Sequence, residues 1–562
     1  MKGRREIDRR SFLSRSAVTG GAVALGAAAP AALAGCSSSS SGSPTTSSGS
    51  KPGVGSGNPV RGGSLTVAVL ADIDGFYPPT NHWDTNGFNY ANAIYDPLMA
   101  VAADGTIQGY LAQSMTPNST FDTWTMTLRS GIKFHDGSDL TAAVVKANYD
   151  ALLTSALTGP ALKQVTSVTA TGDLTVVFAL EAPNPLFPAG LTTQVGYVVA
   201  ESMIHQAQSN PNSAPTPVGT GPFVFDQWQP NSSFSATRNP NYWRSGLPYL
   251  EQITFKPIPD TTQREATLRS GGVDMIQSTD PNTIVRFSGS GGSGFQVVDS
   301  VTGVIGEPTV AFIMLNCETA PTNDLRIRQA LAKATDTAEI RKIYDAGFGG
   351  PINGLFLSNS PYYSNTGFPT YDPTAARQLI NEYKAEHGTP SLKLITIPDP
   401  LYIKLIQIIQ QMWEQVGVTV TLGEVEQATI ITDFITGEFQ AATVYQFGAV
   451  DPDLNYVWFS STTVSPVGSI GLNFPRNSDP QIESALLTGR HTTDQAARNK
   501  AYQTVNERLA VDLPYIWLSQ YFFSEVAENR VQNFANPTLP NGSPGYAFDE
   551  GIFFPTQIWM AG

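Results

Sequence analysis

Two cysteines and five histidines in 562 residues leave little for covalent or metal chemistry. Cys36 lies in "LAGCSSSSSGSPTTSSGS" and Cys317 in the apolar run "AFIMLNCET", which reads as a buried strand, so no disulfide framework is expected. The histidines form no H-E-x-x-H and no pair at metal-ligand spacing. A G-x-S-x-G nucleophile elbow is missing too. The G-x-G-x-x-G at Gly289, Gly291 and Gly294 comes before a strand instead of opening a helix, and so reads as a loop. Asp451 and Asp453, two apart across Pro452, suit a turn better than an acid–base pair, and His135-Asp136 suits a turn better than a dyad. No catalytic residue, metal or cofactor is therefore expected, and the chain is not read as an enzyme. Charge is sparse and acidic, with 33 Lys and Arg against 47 Asp and Glu. No basic cluster follows residue 61, which argues against nucleic acid. A membrane span wants about 20 predominantly apolar residues, and "AVTGGAVALGAAAPAALAG" is diluted by Gly, Thr and Pro30.

What is present begins with a leader. Residues 1–35 carry a basic head, a weakly apolar middle and small residues at the end, the pattern of a signal peptide. "RRSFLS" (Arg9 to Ser14) resembles the twin-arginine export motif, with Asp8 and Ser14 departing from its usual neighbours. "LAGC" resembles the bacterial lipobox, which implies lipid on Cys36 and an extracytoplasmic protein held at the outer face of the cell membrane. Residues 36–59 then read as a Ser-rich tether with a root-mean-square reach of roughly 25 Å.

About 500 residues remain, enough for two or three domains. With 41% hydrophobic and 10% aromatic residues, the chain is globular. Strands are expected in "GGSLTVAVL", "FDTWTMTLR", "DLTVVFAL" and "LEQITFKPI", and a helix after "FHDGSDL" capped by Ser138 or Asp139. "VAFIMLN" is unbroken and apolar, as in a strand buried on both faces. "SLKLITIPDPLYIKLIQIIQQMWEQVGVTVTLGEVE" predicts strand–helix–strand with a right-handed crossover. Leu401, Leu405, Ile408, Ile409, Met412 and Val416 are its expected apolar helix face.

Residues 95–153, "YDPLMAVAADGTIQGYLAQSMTPNSTFDTWTMTLRSGIKFHDGSDLTAAVVKANYDALL", resemble the signature region of the family 5 extracellular solute-binding proteins. These are the dipeptide-, oligopeptide- and nickel-binding components of ABC importers. "PVGTGPFVFDQW", "RNPNYW", "EATLRSGGVDMI" and "LNCETAPTNDLRIRQALAKATDTAEI" resemble further family motifs in the family's order. The resemblance implies an α/β, two-lobed clamp of the periplasmic-binding-protein kind, with a subdomain inserted in lobe one. Lobe one is expected at 60–305 and 516–562, the inserted subdomain at about 96–214, and lobe two at 306–515. It implies a monomer that captures a small solute by hinge closure and hands it to permease and ATPase partners. A short peptide is the first expectation and an oligosaccharide or glycoside the alternative. A solute-sensing surface receptor with the same clamp is the reading from another class.

In peptide-binding members an aspartate of a lobe-two loop receives the ligand's ammonium group. That loop is "YQFGAVDPDLNYVWF" here, and its usual acid positions read Gln446, Phe447, Gly448 and Ala449. Either Asp451 serves instead or the amine anchor is absent. Expected ligand contacts are Tyr77 and Trp83 after the first strand, Tyr445, Gln446, Phe447, Asp451 and Asp453 in lobe two, and Asn473.

Overall fold

The computed structural model describes residues 51–210, 214–288, 292–300, 306–546 and 551–562. The expected signal peptide, Cys36 and most of the tether lie outside them. Three main sheets occur among the described residues. The first has seven strands in the order Phe295–Asp299, Ser524–Glu528, Met275–Ser278, Ser64–Val69, Gln252–Pro257, Ser233–Arg238 and Phe223–Gln229. The 64–69 strand runs parallel to 252–257 and 275–278, and is buried on both faces. Leu65, Val67 and Val69 pack with Tyr90, Ala91 and Ile94 of the helix Thr85–Ile94. Ala68 faces the other way, onto Leu268, Ile276 and Phe287.

The second sheet has the order Thr419–Glu424, Ser391–Thr396, Ala441–Gln446, Val310–Leu315 and Tyr515–Gln520. The expected strand–helix–strand unit is there: 391–396 and 419–424 pair in parallel around the helix Pro400–Glu414. The helix face is rotated from the expected one. Tyr402, Leu405, Ile406, Ile409 and Trp413 are buried, while Leu401, Ile408 and Met412 are only partly so. Trp413, whose indole donates to Thr335 Oγ1 at 3.0 Å, pulls the stripe toward itself. Val310–Leu315 is fully buried, with Ile313 and Leu315 in one core and Phe312 and Met314 in the other.

A third, antiparallel sheet of Ala112–Pro117, Thr123–Leu128, Thr175–Leu180 and Val165–Ala170 falls inside the expected insertion. It packs Trp124, Met126 and Phe178 against Tyr149 of the helix Ala142–Thr154. That helix is capped by Thr141, three residues or fewer after the expected cap; Asp136 and Ser138 instead close a turn, Ser138 N donating to Asp136 Oδ1 at 3.0 Å. Three motifs of the resemblance meet at Asp96. Its carboxylate accepts from Thr220 Oγ1, Tyr242 Oη and Trp243 Nε1 at 2.9–3.0 Å. Gly219 and Gly221 lie so close to the Ile94 backbone that a Cβ would come within 2.2 and 2.4 Å of it. Here "GTG" is a packing device.

Candidate functional site: the cleft between the lobes

The chain passes from the first sheet to the second after Asp299, where Ser300 and residues 306–309 are described, and returns at 521–523. The return lies a few residues beyond the expected boundary at 516, because Tyr515–Gln520 pairs with Val310–Leu315 in the second sheet. Apolar alternation does not say which sheet a strand joins; the hydrogen-bond partner does. The described ends of the first crossing lie beside the second. Tyr521 N donates to Thr309 O at 2.9 Å, Ser300 N to Phe523 O at 3.0 Å, and Phe523 N to Ser300 Oγ at 2.9 Å. A few paired residues at the ends of strands are what a hinge requires.

Polar and aromatic contacts link the lobes around these crossings. Thr261 Oγ1 donates to Asp399 Oδ2 at 2.9 Å, and Gln427 Nε2 to Asp84 Oδ2 at 3.3 Å. Asp84 caps the 85–94 helix through Gly87 N, and burial pushes its carboxyl upward. Tyr402 of lobe two hydrogen-bonds the Tyr521 hydroxyl and reaches Thr279 of lobe one at 3.4 Å. Tyr445 stacks on Tyr521 with ring centroids 4.0 Å apart, and Phe523 meets both rings edge-on.

Beside the first crossing is a cavity of about 500 Å³ lined by Glu307, Ser360, Tyr362, Val450 and Gln520, among others. Glu307 exchanges backbone hydrogen bonds with Ala449 at 2.8 and 2.9 Å. Gly306 is needed there: its φ is +81°, and a Cβ would come within 2.3 Å of Ala449 O. Burial pushes the Glu307 carboxyl upward, opposed by a hydrogen bond from Ser360.

The structure distributes the expected contact residues unevenly. Tyr445 and Gln446 end the 441–446 strand, half-buried beside the crossings. Phe447 turns inward at φ +79° and stacks on Phe312 at 5.1 Å, within the lobe-two core. Tyr77 and Trp83 belong to the lobe-one core, and the Trp83 indole donates to Gly75 O at 3.1 Å. Asn473 is 1% exposed, its amide donating to Ser460 O and Asn477 O. These four side chains are buried, and the Trp83 indole and the Asn473 amide have hydrogen-bond partners within their lobes.

Both lobe-two aspartates are committed to arginines. Asp451 Oδ1 accepts from Arg498 Nη2 at 2.5 Å and from Asp453 N at 2.8 Å. Asp453 holds Arg490 Nε at 2.9 Å, and that guanidinium lies 3.7 Å from the Tyr456 ring centroid. Burial pushes the Asp451 carboxyl upward against the pull of Arg498, and Arg498 is raised by Asp451 despite its own burial. These arginines were not singled out by sequence, since each partner lies 37 to 47 residues away. Glu307 was missed likewise, lying in a loop with no motif.

The family model described as bacterial extracellular solute-binding proteins, family 5 Middle, matches residues 106–466. The chain is 28% identical over 486 residues to the glutathione-binding protein GsiB of Pectobacterium atrosepticum, covering 82% of this chain and 90% of that one. It is 26% identical to the nickel-binding periplasmic protein of Escherichia coli, over 77% of this chain and 85% of the relative. In fold it is similar to the oligopeptide-binding protein AppA of Bacillus subtilis, solved with a nonapeptide. The TM-score is 0.78 at 20% identity, covering 90% of this chain and all of that one. It is also similar to the binding protein AgaA solved with agropinic acid, from A. tumefaciens R10, with a TM-score of 0.76 at 22% identity over 89% and 99% of the two chains. No helix among the described residues is long and apolar enough to cross a membrane. The paired crossings, the two sheets and the family match together make this chain a member of the bacterial extracellular solute-binding proteins of family 5, the solute-binding components of ABC importers.

Proposed function

We propose that the chain captures a short peptide between its lobes by hinge closure and delivers it to a membrane permease, while lipid on Cys36 keeps it at the outer membrane face. The observation that supports hinge closure is the pairing of Ser300 and Thr309 with Phe523 and Tyr521, a narrow strip about which the lobes would rotate. Taking such a clamp from 1:99 to 99:1 closed needs about 5.5 kcal/mol of preference for the closed form. Tyr445 and Gln446, at the cleft end of their strand, are the lobe-two contacts in this reading; the Asp451–Arg498 and Asp453–Arg490 pairs hold the loop in shape. The peptide assignment draws on relatives such as the putative ABC transporter peptide-binding proteins of Brucella, 26% identical over 83% of this chain.

A thermal-shift screen tests the solute class, with di- to pentapeptides, oligosaccharides, amino-acid derivatives and nickel chelates. A ligand at 100 times its Kd adds about 2.7 kcal/mol of stability. Peptides should raise the melting temperature; a shift from oligosaccharides alone would replace the peptide assignment with the sugar one. Detergent partitioning of the exported protein tests the anchor. Cys36→Ala should move it to the aqueous phase, and unchanged partitioning would remove the lipid.

A further inference from the structure

Lobe one contains an acid that is unpaired among the described residues. Glu525, in the Ser524–Glu528 strand, is 0% exposed, and neither carboxylate oxygen has a hydrogen-bond partner among the described residues. Burial pushes its carboxyl well above the usual range. Buried carboxylates are ordinarily paired, because desolvating an unpaired one is costly. Three other buried acids, Asp453, Glu265 and Asp479, each meet an arginine.

The surroundings of Glu525 are rich in acceptors and short of donors. Gln277 stands directly opposite it across the ladder and is 1% exposed. Its amide nitrogen donates to Gly551 O at 2.9 Å, which leaves the buried Oε1 without a partner. The same carbonyl accepts from Asn89 Nδ2 at 3.0 Å, bringing the 85–94 helix to this spot. Asn86, one turn earlier, gives its Nδ2 to Asp84, and its buried Oδ1 has no partner. Among the described residues, four buried side-chain oxygens therefore lack a hydrogen-bond partner. Phe523 lies against the same Gly551, beside Gln277, and its ring meets those of Tyr521 and Tyr445 from the cleft. Gln277 is in the last turn of pleat of a parallel strand, the edge at which open α/β sheets take their ligands.

We propose that Glu525, Gln277 and Asn86 form a lobe-one subsite for the positively charged group of the solute, an ammonium or guanidinium. Such a group supplies both the charge and the several N–H donors that these oxygens lack, and aromatic faces beside it favour a cation. The proposal rests on the solute reading above and moves the amine anchor from the lobe-two loop, where both aspartates are taken, to lobe one.

The test titrates wild type and Glu525→Gln with trialanine, N-acetyl-trialanine, and the best peptide from the screen, with agmatine and putrescine as non-peptide cations. Binding of a free-amine peptide should fall about thirtyfold or more in Glu525→Gln, as expected when one member of a desolvated charge pair is removed. The solute-free variant should melt no lower than wild type, because it loses an unpaired buried acid; a structural role for the carboxylate would lower it. Peptide binding within threefold of wild type would overturn the subsite and leave the peptide reading standing. If no peptide binds but agmatine or putrescine stabilises wild type and not the variant, the subsite stands and the peptide reading falls. If none of the probes binds wild type, both fall. Should Glu525→Gln fold poorly, Glu525→Asp, which withdraws the charge by one methylene, reads the same contrast.

Discussion

Replacing Asp451 by asparagine separates a structural ion pair from a ligand anchor. The Asp451 carboxylate accepts from Arg498, whose side chain is 7% exposed. Arg498 also donates to Gly489 O and Tyr362 Oη, and lies 5.2 Å from the Tyr502 ring centroid. Removing only the acid leaves a guanidinium that is held in place, buried and without a counter-charge. Breaking a buried pair on one side costs about 3–5 kcal/mol. In a domain of a couple of hundred residues, where 1 kcal/mol moves the midpoint by roughly 2–4 °C, that is a drop on the order of 10 °C. Differential scanning calorimetry of solute-free wild type and Asp451→Asn measures it directly. The same samples with saturating solute should keep most of the ligand-induced rise. An unchanged solute-free midpoint, with loss of the ligand-induced rise, would refute this reasoning and return Asp451 to the role of anchor.

Further predictions concern the cores and the buried acids. Ile409→Ala should cost about 2–5 kcal/mol and Ile408→Ala clearly less, measured by denaturant unfolding, because of the two only Ile409 is fully buried on the 400–414 helix. Equal costs would mean that the helix face is not the one described. Burial raises the Asp96 carboxyl to about 6, against hydrogen bonds from Trp243, Tyr242 and Thr220. The folded state then holds its proton more tightly than the unfolded one. The resulting stability is present at low pH and is lost as pH rises from about 4 through 6, roughly 3 kcal/mol in all. The stability advantage of wild type over Asp96→Asn should shrink by that order between pH 4 and 7; a constant gap would place the Asp96 proton elsewhere. Gly219→Ala and Gly221→Ala should each lower the yield of folded protein, since a Cβ there meets the Ile94 backbone. A normal melting curve for either would contradict the packing described.

Much of the fold was legible because local pattern and partner agree. "SLKLIT" and "TVTLGE" alternate or run apolar, the segment between them repeats at helical spacing, and only a parallel pair with a crossover satisfies both. "VAFIML" announced a strand buried on both faces because no residue in it tolerates water. The site was far less legible. Aromatics after the first strand and in the lobe-two loop are expected ligand contacts, yet Trp83 and Phe447 fill cores, and composition alone does not distinguish a ring that faces solute from one that faces leucine. The lobe-two aspartates looked available because their arginines come from helices far along the chain. Glu525 attracted no notice in "FFSEVAENR", where a glutamate among alternating residues reads as solvent-facing. Its burial arises from the 85–94 helix and the Gly551 backbone, which pack over that face of the sheet. Such sites are made by tertiary contacts, and no window of sequence contains them.

The central claim is that solute draws the two lobes together about the strip where Ser300 and Thr309 pair with Phe523 and Tyr521. Small-angle X-ray scattering of the purified protein, with and without a peptide that raises its melting temperature, tests this most directly. The account predicts a smaller radius of gyration at saturating solute, reversed on dialysis. An unchanged radius with the site demonstrably filled would contradict closure and reduce the crossings to a fixed junction.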